Sequence, residues 1–78
     1  MFKFQNIIMI EKNLKRIGEN IRAARKLRNL SQENLAELIS VSRNYIGMIE
    51  RAEINTPTKT LLQIAVALNV HPKTFFDL

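Results

Sequence analysis

Two short segments with the apolar period of a helix follow each other between Ser31 and Arg51. Their apolar positions are Leu35, Ala36, Leu38 and Ile39 in the first segment and Ile46 and Ile49 in the second. Only Ser40, Val41 and Ser42 separate the two segments, so the connection between the helices must be a tight turn. The small Ala36 is predicted where the two helices cross. This spacing therefore predicts a closely packed pair of short helices.

The remainder of the chain predicts three more helices. Their markers are the N-cap residue Asn13 with Ile17, Ile21 and Ala24; the N-cap residue Thr58 with Leu61, Ile64, Ala65 and Leu68; and His71 and Pro72 with Phe75 and Phe76. The predicted fold is all-α, a compact bundle of five helices over residues 13–78. Residues 1–12 carry an apolar, strand-like string and are predicted to form an additional N-terminal arm; Met9 is an alternative start of the chain.

Composition restricts the function. The 78 residues, 46% of them hydrophobic, make one small domain. The net charge is +5, and seven of the twelve basic residues lie between Lys12 and Arg28, which favours a polyanionic partner. The chain contains no cysteine and a single histidine, His71, so we expect neither a disulfide nor a metal site.

Other function classes find no support in the sequence. The longest apolar run, Ile7 to Ile10, is too short to span a membrane and lacks the flanking pattern of a signal peptide, so a cytoplasmic protein is expected. The sequence has no nucleophile–base pair, carboxylate dyad or phosphate-binding glycine loop. We therefore expect neither an enzyme nor a bound cofactor.

A series of segments along the chain matches a known family. The segments are IGENIR at 17–22, LSQENLA at 30–36, VSRNYI at 41–46, IER at 49–51, Pro57, Leu61, IA at 64–65, ALNV at 67–70 and Phe75. On these residues, the region 14–78 resembles the Cro/phage-repressor (Xre-like) helix-turn-helix family. The resemblance implies a lambda-repressor-like fold and a sequence-specific DNA-binding regulator of transcription. Within the family, the run from Arg43 to Ile46 is similar to controller proteins of restriction–modification systems.

Two positions depart from the family pattern. The family usually has glycine where this chain has Ser40 in the turn and Ala52 after the third helix. Both positions are predicted to adopt left-handed backbone, which costs a residue other than glycine about 1 kcal/mol.

The helix from Arg43 to about Arg51 is the predicted recognition helix, because the second helix of such a pair enters the major groove. With Ile46 and Ile49 turned inward, its outer face carries Asn44, Gly47, Met48 and Arg51, with Arg43 on the flank. Arg43 and Asn44 are predicted to read bases, since arginine pairs with guanine and asparagine with adenine. Met48 is a third candidate, for contact with a thymine methyl group. The alternative for each is an ordinary solvent-exposed position.

A second group of polar residues is predicted to contact the DNA backbone: Gln32, Ser42, Tyr45, Arg51, Asn55, Thr56, Thr58 and Lys59. The family resemblance implies the role of Gln32, which opens a helix whose free N–H groups attract phosphate. Asn55, Thr56, Thr58 and Lys59 lead into another helix, whose free N–H groups also attract phosphate. The Tyr45 hydroxyl reaches a phosphate or, alternatively, Tyr45 packs half-buried.

Arg25 and Glu50 are predicted to form a structural ion pair. Arg25 follows the buried Ile21 by four residues, and Glu50 follows the buried Ile46 by four, so both charges lie on or beside apolar stripes. A buried charge needs a partner of opposite sign. The sequence therefore predicts a salt bridge between the first and third helices, as the family resemblance also implies.

The predicted mode of action is a homodimer that binds a near-palindromic operator in double-stranded DNA. Phe75, Phe76 and Leu78 are predicted to form the dimer interface, with a core position for Phe75 and simple exposure of Phe76 as the alternative. Two rival functions stay open: the antitoxin of a toxin–antitoxin operon, with a toxin as partner, and a protein-interaction module that has lost DNA binding.

Overall fold

The computed structural model describes residues 3–78, which form four α-helices and a C-terminal 3₁₀ helix. The α-helices are α1 (Phe4–Leu27), α2 (Gln32–Ile39), α3 (Arg43–Glu50) and α4 (Thr58–Leu68), and the 3₁₀ helix is Pro72–Phe76. No strand occurs within residues 3–78. The all-α prediction is confirmed, but the count of five α-helices is wrong. The five residues of the last element make one short segment, and such short pieces commonly take the tighter 3₁₀ geometry.

Helix α1 is much longer than the sequence pattern predicted. It begins at Phe4, with Lys3 at the N-cap position, and not after Asn13. The strand-like pattern of residues 4–12 is misleading, because these residues are helical and form the first turns of α1. Residues 1 and 2 of the predicted N-terminal arm lie outside the described residues. A short apolar run such as Ile7 to Ile10 has no periodicity of its own that separates strand from helix. No proline interrupts the backbone hydrogen bonds in this region, so the helix continues.

The N-terminal part of α1 extends beyond the rest of the molecule. Residues 3–12 are all exposed, including the large apolar side chains of Phe4, Ile7, Ile8, Met9 and Ile10. The overall dimensions of 41 × 22 × 19 Å reflect this projecting helix. The first half-buried residues of α1 are Asn13 and Ile17, and Gly18 is the first buried one. The buried part of α1 packs against α3 and the 3₁₀ helix.

The core is formed by side chains from all five elements. Its buried apolar residues are Ile21, Ala24, Leu35, Ala36, Ile46, Ile49, Ile64, Ala65, Leu68 and Phe75. The assignment of Phe75 to a dimer interface is wrong, because its side chain is 0% exposed within the chain's own core. Phe76 and Leu78, the other two residues of that prediction, are 50% and 59% exposed.

Each α-helix is followed by a residue other than glycine in left-handed backbone: Asn29, Ser40, Ala52 and Asn69. The φ angles of Ser40 and Ala52 are 60° and 57°, which confirms the left-handed geometry predicted for both. At these helix ends the next backbone N–H turns back to the last turn of the helix, as in the 2.9 Å bond from Glu53 N to the Met48 carbonyl oxygen. The helices therefore end sharply enough for short connections.

Side-chain caps fix the start of α2, α3 and the 3₁₀ helix. The capping residues are Ser31, Ser42 and His71. The predicted N-cap role of Thr58 in α4 is wrong. Pro57 occupies the N-cap position, and no side chain accepts a hydrogen bond there. Across the part of the chain that the structure describes, no helix has the length and apolar character needed to cross a bilayer.

Candidate nucleic-acid interface

The α2–turn–α3 unit presents the N-terminus of α3 on the surface. In α2 the Ser31 hydroxyl accepts a hydrogen bond from Asn34 N at 2.9 Å, and the Asn34 side chain accepts one from Ser31 N at 3.2 Å. The Ser42 hydroxyl accepts a hydrogen bond from Tyr45 N at 3.1 Å and so caps α3. Between the two helices, the left-handed Ser40 turns the chain back. The buried Ala36 lets α2 and α3 pack closely.

The three residues predicted to read bases lie on α3. Arg43 and Asn44 are exposed in its first turn, and Met48 is half-buried one turn later. The Asn44 amide nitrogen donates to the Met48 sulfur at 3.6 Å, so these two side chains are already in contact. Sulfur is a weak acceptor, and a base edge offers the amide a better one.

An open depression of about 270 Å³ lies on the surface between the start of α2 and the outer face of α3. It is lined by Gln32, Arg43, Asn44, Gly47 and Arg51. Four of these residues carry predicted DNA contacts. The structure therefore brings together side chains that are up to nineteen positions apart in the sequence.

A buried ion pair supports one wall of this depression. Arg25 Nε and Nη2 donate to the two Glu50 carboxylate oxygens at 2.7 and 3.0 Å, and the two side chains are only 8% and 2% exposed. Arg25 Nη1 donates to the Leu30 carbonyl oxygen at 2.8 Å. Gln32 Nε2 donates to Glu50 Oε1 at 3.0 Å. The predicted structural ion pair thus also holds Gln32, whose Nε2 keeps a second N–H for another contact.

The other residues predicted to contact the DNA backbone do not line the depression. The Ser42 hydroxyl is occupied by its cap, and Tyr45 packs half-buried against the core. Asn55, Thr58 and Lys59 are exposed and Thr56 is half-buried, at the connection between α3 and α4 and in the first turn of α4. They form a second polar group, beyond the C-terminal end of α3.

Sequence reasoning missed Glu53. Arg51 Nε and Nη2 donate to the two Glu53 carboxylate oxygens at 2.9 and 3.2 Å. The hydrogen bond and charge of Arg51 lower the pKa of Glu53 below its usual value, and Glu53 raises the pKa of Arg51. The signal that identifies this pair is the left-handed Ala52 between the two residues, which turns Glu53 back toward α3.

Residues 21–75 match the HTH_3 helix-turn-helix family, a stretch that includes α2, α3, α4 and the last two turns of α1. This match covers well over half of the chain. The chain belongs to the helix-turn-helix family. The family resemblance deduced from the sequence is therefore confirmed, and all of the depression described above falls inside the matched region.

Relatives in the family include control proteins and a phage repressor. The chain is 49% identical over 53 residues to control protein C.SmaI of Serratia marcescens, covering 68% of this chain and 63% of that protein. It is 43% identical over 54 residues to the immunity repressor of Bacillus phage phi105, covering 69% of this chain and 38% of the repressor. The match thus spans less than two thirds of the length of either relative.

A solved structure of the family has the same architecture. The restriction–modification controller protein C.AhdI from Aeromonas hydrophila superposes with a TM-score of 0.80 at 35% sequence identity. The superposition covers 83% of this chain and 98% of that protein. The helical arrangement that positions the depression is therefore common to both proteins.

Proposed function

We propose that this protein is a sequence-specific regulator of transcription that binds double-stranded DNA through α3. The observation that carries this proposal is the depression lined by Gln32, Arg43, Asn44, Gly47 and Arg51 at the exposed face of a helix-turn-helix unit. It combines two cationic side chains, two amides and one helical position without a side chain. Such a set suits the negative, hydrogen-bonding surface of a DNA groove.

The proposed roles follow from position. Arg43 and Asn44 reach base edges because they occupy the exposed first turn of α3, and Met48 contacts a thymine methyl group beside them. Gln32 binds a phosphate through the second N–H of Nε2, the amide nitrogen that already donates to Glu50. The remaining proposed phosphate contacts come from Ser42, Tyr45, Arg51, Asn55, Thr56, Thr58 and Lys59. The net charge of +5 adds a general attraction to DNA.

Because control proteins are among its relatives, we propose a regulator of the controller type. We also propose that it acts in the cytoplasm. We propose that it works as a homodimer, with two copies of α3 in successive major grooves about 34 Å apart on a near-palindromic operator. Phe76 and Leu78 are the proposed dimer contacts, since both are apolar and at least half exposed.

Selection of bound duplexes from a random DNA library tests the proposal, with the wild-type protein and Arg43→Ala in parallel. We expect one near-palindromic motif for the wild type and a relaxed preference at one symmetric position for the variant. Lys73→Ala is a matched control, because it also removes one exposed positive charge but on the 3₁₀ helix. Absence of any motif at moderate salt would refute sequence-specific binding and favour the interaction-module alternative.

The dimer is tested separately by sedimentation. Phe76→Ser is expected to shift the protein toward monomer and to weaken operator binding steeply, because a monomer reads only half a site. Leu38→Ser on α2 is the control, since Leu38 is exposed to a similar extent as Leu78 but is not a proposed contact. An unchanged association of Phe76→Ser would refute this interface.

A further inference from the structure

Gly47 is buried although it lies on the outer face of α3, opposite the core residues. The side chain of Arg51 shields Gly47 from solvent. A Cβ atom built on Gly47 would lie 2.9 Å from Arg51 Nη1 and 3.5 Å from Arg51 Cζ and Nη2. The guanidinium group therefore lies directly over the backbone of Gly47, in the space that a side chain would occupy.

The direction of this side chain follows from helix geometry. Side chains on a helix lean toward its N-terminus, and residues four apart lie one above the other, so Arg51 reaches back over Gly47. This brings the guanidinium from the C-terminal end of α3 toward Asn44, which shares the lining of the same depression. The N-terminal half of a recognition helix is the half that approaches base edges.

Glu53 fixes the orientation of the guanidinium from the other side. It accepts hydrogen bonds from Nε and Nη2, while Nη1, the atom over Gly47, has no hydrogen-bond partner among residues 3–78. Arg51 and Glu53 are 55% and 49% exposed, so the pair stands at the open surface. The free donors of Arg51 are thus oriented before any ligand arrives.

We propose that Arg51 is a specificity-determining residue that reads a base in the major groove, with Gly47 and Glu53 as its positioning residues. This inference rests on the proposed function and changes the role of Arg51 within it, from a backbone contact to a base contact. A guanine is the expected partner, because its O6 and N7 acceptors match the donors of one guanidinium. Gly47 provides the space and Glu53 provides the orientation.

The test compares operator preferences of four proteins: wild type, Arg51→Ala, Gly47→Ala and Glu53→Gln. Each is used for selection from a random duplex library and for titration against the selected operator and its single-base variants. We expect Arg51→Ala to lose about tenfold or more of the discrimination between bases at one symmetric position, because a bidentate contact contributes about that much. Gly47→Ala and Glu53→Gln should relax the same position. The salt dependence of Gly47→Ala should stay that of wild type, because no charge is removed.

Two controls separate positioning from folding and from charge. Gly47→Ala is expected to melt at a higher temperature than wild type, since alanine is the better helix former and only a flexible side chain must move. Glu37→Gln removes the same charge from an exposed site on α2 that does not line the depression, and should leave the motif unchanged.

The inference is overturned if either positioning variant keeps the preference that Arg51→Ala loses. It is also overturned if Arg51→Ala weakens binding to all sequences uniformly and reduces the slope of log binding constant against log salt concentration by about 1. That is the behaviour of a phosphate contact. Both outcomes leave the proposed function intact. Failure of the proposed function is recognised separately, because the wild-type protein would then select no motif.

Discussion

Gly18 of α1 lies against the carbonyl oxygen of Glu50, so that a Cβ atom built on Gly18 would be 2.5 Å from that oxygen. The next nearest atom, the Ile49 carbonyl oxygen, would be 2.9 Å away. Both contacts are with backbone, so no side-chain rotation relieves them. The absence of a side chain at Gly18 therefore sets the distance between α1 and the C-terminal end of α3.

Gly18→Ala should consequently destabilise the domain. We expect the free energy of unfolding to fall by about 2 kcal/mol or more, because α1 and α3 must separate to admit the methyl group. Urea denaturation followed by circular dichroism measures this change. Gly47→Ala is the matched control, since it adds the same methyl group next to a flexible arginine side chain and not next to backbone. Equal stability of Gly18→Ala and wild type would contradict the close approach of the two helices.

The buried Arg25–Glu50 pair leads to a second prediction. Arg25→Ala or Glu50→Ala alone should lower the free energy of unfolding by about 3 to 5 kcal/mol, because each leaves the opposite charge buried without its partner. The free energy of unfolding of the double variant should fall by clearly less than the sum of the losses in the two single variants. A double-mutant cycle of urea denaturation midpoints measures the coupling. Additive losses would mean that the two side chains do not interact in solution.

The left-handed residues at the helix ends allow stabilising changes. Ala52→Gly and Ser40→Gly should each raise the free energy of unfolding by about 1 kcal/mol, because glycine adopts positive φ without the steric cost of a Cβ atom. Thermal denaturation is the measurement. Ala23→Gly is the opposite control, because position 23 is exposed inside α1, and there glycine should destabilise by a similar amount. A loss of stability in Ala52→Gly would refute the left-handed geometry at that position.

Removal of the first turns of α1 should have little effect on the folded domain. A chain that begins at Met9 loses residues 3–8 of the described structure, all of which are exposed, so we expect the free energy of unfolding to change by about 0.5 kcal/mol or less. Ile17→Ala, which removes a side chain packed against the core, should cost more and serves as the comparison. A large loss of stability in the truncated chain would show that residues 3–8 pack against a partner in solution.

The short helices of this fold are well specified by local sequence. The serine caps and left-handed ends of α2 and α3 each depend on a few neighbouring residues, so the pattern predicts both helices and the turn between them. The family match supports the same unit. The extent of α1 was not predictable in this way. Its N-terminal turns bury nothing, and the apolar period that indicates a helix against a core is therefore missing there.

Contacts between distant parts of the chain were only partly predictable. The Arg25–Glu50 pair follows from spacing, because two charges on buried stripes require each other. The bond from Gln32 to Glu50 and the position of Arg51 over Gly47 depend on side-chain directions that spacing does not contain. The placement of Phe75 shows the same limit. Which of two adjacent phenylalanines enters the core is decided by how the 3₁₀ helix packs against α1.

The projecting start of α1 divides a single helix into two thermodynamic parts. Hydrogen bonds near its N-terminus depend on helix propensity alone, and an isolated helix of this length is marginal in water. From Gly18 onward, the same hydrogen bonds are held by the packing of α1 against the rest of the domain. Amide protons of residues 7–12 should therefore exchange with solvent through local opening. Those of Ile21 to Arg25 should exchange only when the whole domain unfolds.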